Sequence, residues 1–154
     1  YILIYNLNRS KDFDRYANEL SKRTGLKLVR FCTRYDQFYR SGKCILVPSV
    51  YDFISLIDNA KYVLTDSFHA TAFSMNMGTE PICVYPKEFG GRLDSFLTLT
   101  ESLQRHVKDY TDYDVVNRTV DFVKVKEILD TERCKASNFI EDVLANIKAS
   151  QKGR

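Results

Sequence analysis

The stretch from 61 to 77, KYVLTDSFHATAFSMNM, limits the folds open to this chain more than any other. It begins with Tyr62, Val63 and Leu64, a short apolar run of strand formers, and three small polar residues then interrupt that run. A compact helix is predicted to start at Phe68 and to end near Gly78. Strand, polar turn and helix form the unit that builds phosphate and nucleotide sites in α/β proteins.

Polar residues at the predicted helix start are the first candidates for a functional site. Ser67 or Asp66 can cap the helix. His69 falls in the first turn, where free backbone N–H groups and the positive end of the helix dipole attract anions. Two apolar rows, headed by Phe68 and Ala70, predict a helix buried on several sides. By itself the pattern leaves His69 as either a buried histidine bonded to a carbonyl or a functional residue.

Apolar strand-like runs alternate with amphipathic helices over the rest of the chain. Strands are predicted at 1–7, 27–33, 44–47, 61–65 and 81–85, and helices at 11–24, 50–59, 68–77, 92–103, 121–131 and 134–149. This alternation predicts an α/β fold, a Rossmann-like and mostly parallel sheet with helices on both faces in three α/β/α layers. A single domain is expected over 1–150, with a disordered tail at 151–154.

The expected strand order, 3-2-1-4-5, brings the candidate residues to one edge of the sheet. The first and fourth strands are then neighbours, and the topological switch point falls between them. The loop from Asn8 to Ser10 and the turn at 66–69 are then expected to form opposite lips of a crevice, and Lys87, Glu88 and Arg92 are expected to close its side. Arg92 is the strongest candidate of these three for binding an anion. An arginine at a helix start is unfavourable next to the positive end of the helix dipole unless an anion accompanies it. A surface loop explains Lys87 and Glu88 equally well.

Composition and charge exclude several classes of protein. The net charge of +3 is too small to imply nucleic acid, and no apolar run reaches transmembrane length. The four cysteines contain no C-x-x-C pair, so no zinc site is expected, and no cofactor is expected either. Cysteines that stand alone and reduced favour a cytoplasmic location. The chain starts inside a strand without a Met, which suggests a piece of a longer protein.

Two further segments are assigned no function. The loop at 34–43 carries arginines and tyrosines that could hold an anion or a ring, but a solvated loop is the favoured interpretation. His106 lies in a polar stretch and is predicted to be exposed.

The string TDSFHATAFS resembles the core motif of the polysaccharide pyruvyl transferase family, D-S-F-H-[AG]-x-x-[FY]-[AS]. The matching residues are Asp66, Ser67, Phe68, His69, Ala70, Phe73 and Ser74. The resemblance covers residues 50–100 well and the flanks only in pattern. It implies the C-terminal half of a two-domain GT-B-like enzyme, whose N-terminal half is expected to supply the acceptor site.

The activity implied by the resemblance is transfer of a pyruvyl group from phosphoenolpyruvate to a sugar of a cell-surface polysaccharide, as a ketal. His69 is expected to bind the donor anion or act as general acid. Asp66 is expected either to protonate the methylene carbon or to hold the turn. The expected substrate-binding residues are Ser67, Phe68, Thr71, Asn8, Lys87, Glu88 and Arg92.

The expected partners follow from the same resemblance. They are phosphoenolpyruvate, a sugar or polysaccharide-precursor acceptor and the N-terminal domain of the same chain. Peripheral membrane association of the full-length protein is a further expectation, and nucleic acid is not expected. Two rival functions stay open: the nucleotide-sugar-binding half of a GT-B glycosyltransferase, and a non-catalytic flavodoxin-like or receiver-like module. The receiver-like module is disfavoured because residues 8–10 contain no acidic cluster.

Overall fold

The computed structural model describes residues 1–8, 10–86, 88 and 90–152, with side-chain packing as far as residue 147. Within them, the strands are β1 (Ile2–Tyr5), β2 (Leu28–Cys32), β3 (Lys43–Leu46), β4 (Tyr62–Thr65) and β5 (Glu80–Cys83). The helices are α1 (Lys11–Thr24), α2 (Val50–Asp58), α3 (Phe68–Met77), α4 (Gly90–Leu99) and α5 (Phe122–Lys152). All strands pair in parallel in the order β3-β2-β1-β4-β5. The predicted Rossmann-like fold and strand order are therefore confirmed.

Two compact units make up the chain, and the first, Tyr1–Val120, contains the whole sheet. Alternate side chains of β1 point to opposite faces of that sheet. On one face, Ile2 and Ile4 pack with Phe13, Tyr16 and Leu20 of α1. On the other face, Leu3 and Val63 pack with Ile57 of α2 and Ala70 of α3. The carboxyl ends of β1, β4 and β5 are thus bordered by α1 on one side and by α3 on the other.

Caps fix where the helices begin and end. The hydroxyls of Ser10, Ser49 and Ser67 accept backbone N–H groups at the starts of α1, α2 and α3. Gly78 ends α3 with a φ of 73°, a left-handed conformation that favours glycine. Because Ser67 provides the cap of α3, the carboxylate of Asp66 is left for other partners.

Arg105 ties the segment after α4 to the sheet. Its side chain is fully buried, and its Nε donates to the carbonyl of Pro81, 2.6 Å away. Its Nη1 donates to the carbonyls of Val115 and Arg118. The next residues extend the sheet, because the backbone N–H of Val107 donates to the carbonyl of Cys83 at 2.9 Å. This short parallel bridge brings His106 beside the end of β5.

The second unit begins at Asp121 and consists of α5. The prediction of two closing helices is wrong, because one helix runs without interruption through 132–133. Neither Gly nor Pro lies between the two predicted segments, so nothing in the backbone stops the helix. Helix α5 ends at Lys152 and so includes the first two residues of the tail predicted at 151–154. Residues 153–154 lie outside the described residues.

Cys32 and Cys44 form a disulfide between β2 and β3, with their Cα atoms 6.1 Å apart. The expectation that all four cysteines stay unpaired is therefore wrong for these two, whereas Cys83 and Cys134 are free. The pairing of two parallel strands brings the cysteines near each other, because Cys44 lies opposite Arg30, two residues before Cys32 on β2. The two cysteines are twelve positions apart along the chain, so no local motif indicates the pairing. Because two of the cysteines are paired, the cysteines no longer support a cytoplasmic location.

Candidate active site

Asp66 joins the loop after β1 to the turn after β4. Its Oδ1 accepts the backbone N–H of Leu7 at 2.7 Å. Its Oδ2 accepts the side-chain amide of Asn6 and both the backbone N–H and the side-chain amide of Asn8, each at 2.9 Å. Four N–H groups therefore donate to this carboxylate, three of them to Oδ2 and one to Oδ1. The two lips of the predicted crevice are therefore joined by this one buried side chain, only 6% exposed.

The turn from β4 into α3 is built from hydroxyl groups. The hydroxyl of Thr65 donates to the carbonyl of Tyr5 at 2.6 Å and accepts the backbone N–H of Ser67 at 3.0 Å. Ser67 is buried, and its Oγ accepts the backbone N–H of Ala70 at 3.5 Å. Ser67 is thus placed to hold the turn from inside the protein.

His69 is exposed in the first turn of α3. The first bond inside this helix runs from the N–H of Thr71 to the carbonyl of Ser67 at 3.1 Å. The N–H groups of Phe68 and His69 therefore have no partner within the helix and point out of its N-terminus. A solvent-facing imidazole next to two such donors can contact an anion from several directions at once.

Thr71 lies too deep to touch a substrate. It is fully buried, and its hydroxyl donates to the carbonyl of Ser67 at 3.0 Å. It also lies 3.4 Å from the sulfur of Cys83, whose pKa is raised to about 11 by burial. Its contacts instead suit a residue that orients the turn from β4 into α3.

The side chain of Arg92 shares a face of α4 with Phe96, one turn further along the helix. The ring of Phe96 packs edge-on against Phe68, with ring centroids 5.5 Å apart. Phe68 in turn makes an edge-on contact with His69 at 5.7 Å. These rings join α4 to the start of α3, and the exposed Arg92 lies one turn before Phe96 on α4.

A cavity of about 600 Å³ opens at the same edge of the sheet, on the side of α1. Among the described residues, those that line it are Asn6, Asn8, Ser10, Lys11, Asp12, Phe13, Asp66, Val84, Tyr85, Pro86, Glu88 and Tyr110. Asn8, Asp66 and Glu88 are the sequence-predicted residues that the cavity brings together. His69, Phe68 and Arg92 do not line it, and Lys87 lies outside the described residues. The predicted crevice is therefore two neighbouring sites.

The aromatic wall of the cavity was not predicted. The imidazole of His106 stacks on the ring of Tyr85, with centroids 3.5 Å apart and planes 6° apart. The prediction that His106 is exposed is therefore wrong. The bridge to β5 places it against Tyr85, where it is half-buried. Burial, aided by the charge of Lys108, lowers the pKa of His106. The position of His106 beside Tyr85 depends on its bridge to Cys83 of β5, a tertiary contact that the sequence pattern does not indicate.

The loop at 34–43 supports the site from outside. Gln37 is buried and donates to the carbonyl of Asn6 at 2.9 Å, and Arg34 donates to the carbonyl of Leu7 at 2.8 Å. Arg40 pairs with Asp14 at 2.6 Å and also donates to the carbonyl of Ser10. The arginines of this loop thus hold the loop after β1. Its tyrosines, Tyr35 and Tyr39, are 78% and 90% exposed, as expected for a solvated loop.

Among the residues that the structure describes, no cluster of His, Cys, Asp and Glu side chains could hold a metal ion. Within the same residues, every helix is too short or too polar to cross a membrane.

The parallel five-stranded sheet with helices on both faces defines a Rossmann-like α/β domain, and an exposed histidine lies at the carboxyl edge of its sheet. A family model described as polysaccharide pyruvyl transferase matches residues 1–88, more than half of the chain, and that range contains β1 to β5 and the turn at 66–69. The chain belongs to the polysaccharide pyruvyl transferase family. No curated protein matches it.

Proposed function

We propose that this domain transfers a pyruvyl group from phosphoenolpyruvate to two hydroxyls of a sugar in a cell-surface polysaccharide, forming a ketal. The observation that carries the proposal is the position of His69. It is exposed in the first turn of α3, directly after a turn that Asp66 joins to the loop after β1. All of these residues lie within the range matched by the family model.

Phosphoenolpyruvate carries a phosphate and a carboxylate, and the start of α3 suits either group. The unpaired N–H groups of Phe68 and His69 and the helix dipole favour a negative charge there. Arg92 is the natural second partner, because Phe96 brings its face of α4 against Phe68. A guanidinium that binds an anion in two places fixes its orientation as well as its position.

The atoms and charges of the reaction balance when the sugar gives up two protons. As the ketal forms, the two hydroxyls of the sugar lose their protons, one reaching the methylene carbon and the other reaching the departing phosphate. His69 is the exposed titratable group placed to bind that phosphate or to move a proton. Asp66 acts as a positioning residue, because its carboxylate accepts four hydrogen bonds from the loop after β1.

The remaining parts of the proposal concern the whole protein. The chain would be the C-terminal half of a GT-B-like enzyme, work with an N-terminal domain of the same chain and be inactive without it. A cytoplasmic location would give access to phosphoenolpyruvate, and peripheral membrane association would give access to a lipid-linked polysaccharide precursor.

Release of phosphate by the full-length protein that contains this chain tests the proposal. With phosphoenolpyruvate and an oligosaccharide acceptor, we expect phosphate and an acid-labile ketal in equal amounts. The rival nucleotide-sugar function has one observation in its favour, namely a cavity at the switch point beside β1, where doubly wound folds bind nucleotides. Turnover of a nucleotide sugar, with phosphoenolpyruvate left intact, would establish the rival and reject pyruvyl transfer.

A further inference from the structure

The cavity beside α1 and the start of α3 are separate sites with different chemistry. Asp66 lines the cavity, and His69 follows it by three residues without lining it. Three residues span at most about 11 Å, so ligands in the two places can come within reach of each other. An enzyme that joins a donor to an acceptor requires two adjacent sites of this kind.

The described part of the cavity lining carries more negative than positive charge. Among the described residues that line it, Asp12, Asp66 and Glu88 carry carboxylates, whereas Lys11 alone carries an ammonium group. Asp12 is also paired with Arg15, outside the lining. A phosphate here would face more negative than positive charge, whereas hydroxyl groups can donate to carboxylates and accept from Lys11. The charges of the described lining residues therefore favour a neutral ligand with many hydroxyls.

Tyr85 supplies the cavity with a fixed aromatic wall. His106 stacks on its ring, and its hydroxyl donates to Asp94 at 3.3 Å. Gly90 also lies close, because a Cβ at this position would come within 3.2 Å of the Cβ of Tyr85. A ring held from several directions loses little entropy when a ligand packs against it. Burial and the nearby Asp94 raise the pKa of Tyr85, so its hydroxyl stays neutral.

We propose that this cavity binds the acceptor sugar as a neutral pyranose, with Tyr85 packing against the ring and Glu88 accepting from its hydroxyls. The proposal rests on the proposed function and deepens it, because it assigns acceptor recognition to this chain and not only to an N-terminal half. A volume of about 600 Å³ lies within the range of small-ligand pockets. His106 is a positioning residue in this arrangement, acting through Tyr85.

Nuclear magnetic resonance of the 154-residue chain with three probes tests the assignment. We expect methyl β-D-galactopyranoside to shift the backbone amides of Asn8, Tyr85 and Glu88 at about 50 mM, enough to detect a millimolar Kd. Inorganic phosphate should leave these amides unchanged. Binding of uridine monophosphate in the cavity without binding of the glycoside would overturn the proposal. So would phosphate alone shifting Lys11 and Asp12, and so would no response to any probe.

Variants of the wall separate a sugar site from a structural role. Tyr85→Leu should weaken glycoside binding by about tenfold, whereas Tyr85→Phe, which keeps the ring, should stay within about threefold. Glu88→Gln changes an exposed side chain and provides a second variant that does not depend on the fold around Tyr85. Tyr51→Leu, 84% exposed on α2, is the matched control. Equal binding by Tyr85→Leu, Glu88→Gln and the control would reject the site.

Kinetics of the full-length protein keep this proposal apart from the proposed function. Glu88→Gln should raise KM for the acceptor about five- to tenfold and leave KM for phosphoenolpyruvate unchanged. A rise in KM for phosphoenolpyruvate alone would place the donor in the cavity and overturn the assignment. Absence of any phosphate release would instead defeat pyruvyl transfer, while the glycoside shifts would still stand.

Discussion

Replacing His69 by alanine in the full-length protein is expected to lower kcat/KM for phosphoenolpyruvate by about 100- to 1,000-fold. That is the usual loss when a positioned proton-transfer or anion-stabilising group is removed. The substitution should barely change the free energy of unfolding, because the side chain is exposed. Steady-state assays of phosphate release measure the effect. Thr98→Ala, another exposed helical side chain on α4, is the control and should keep full activity.

How the loss is divided between kcat and KM separates the two roles open to His69. If the imidazole binds the donor anion, alanine should raise KM for phosphoenolpyruvate. If it acts only as a general acid, kcat should fall with little change in KM. Activity within a few-fold of wild type would remove His69 from the mechanism.

Replacing Asp66 by alanine is expected to lower the free energy of unfolding by about 3–5 kcal/mol. The change leaves several N–H groups without their acceptor in a largely buried place, and each such loss is costly. Denaturation by urea, followed by far-ultraviolet circular dichroism, measures the difference.

The matched control for this variant is Asp58→Ala, an exposed carboxylate at the end of α2, which should change stability by no more than about 0.5 kcal/mol. A loss below about 1 kcal/mol for Asp66→Ala would mean that the carboxylate does not hold the two loops together. Asp66→Asn should also be destabilising, because its amide nitrogen would meet N–H donors.

The sheet and the turn at 66–69 could be predicted because their signals are local. Apolar runs such as the one at Tyr62, capping serines such as Ser67 and terminal glycines such as Gly78 each specify structure within a few residues. The alternation of strands and helices then leaves few topologies. His69 is exposed, which rules out the alternative of a buried histidine bonded to a carbonyl.

The parts that escaped prediction depend on distant contacts. The disulfide needs the register of β2 against β3, and the place of His106 needs the bridge from Val107 to Cys83. The crevice divides into two sites because α1 and α3 lie on opposite faces of the sheet. The sequence of the turn at 66–69 does not indicate on which face of the sheet each of its polar side chains lies.

Titration of the 154-residue chain with phosphoenolpyruvate, followed through its backbone amide resonances, tests the central claim most directly. A donor anion held at the start of α3 should produce saturable shifts of the Phe68 and His69 amides, reduced in Arg92→Ala. Shifts confined to the cavity residues, such as Lys11 and Asp12, with Phe68 and His69 unmoved at saturation, would contradict it.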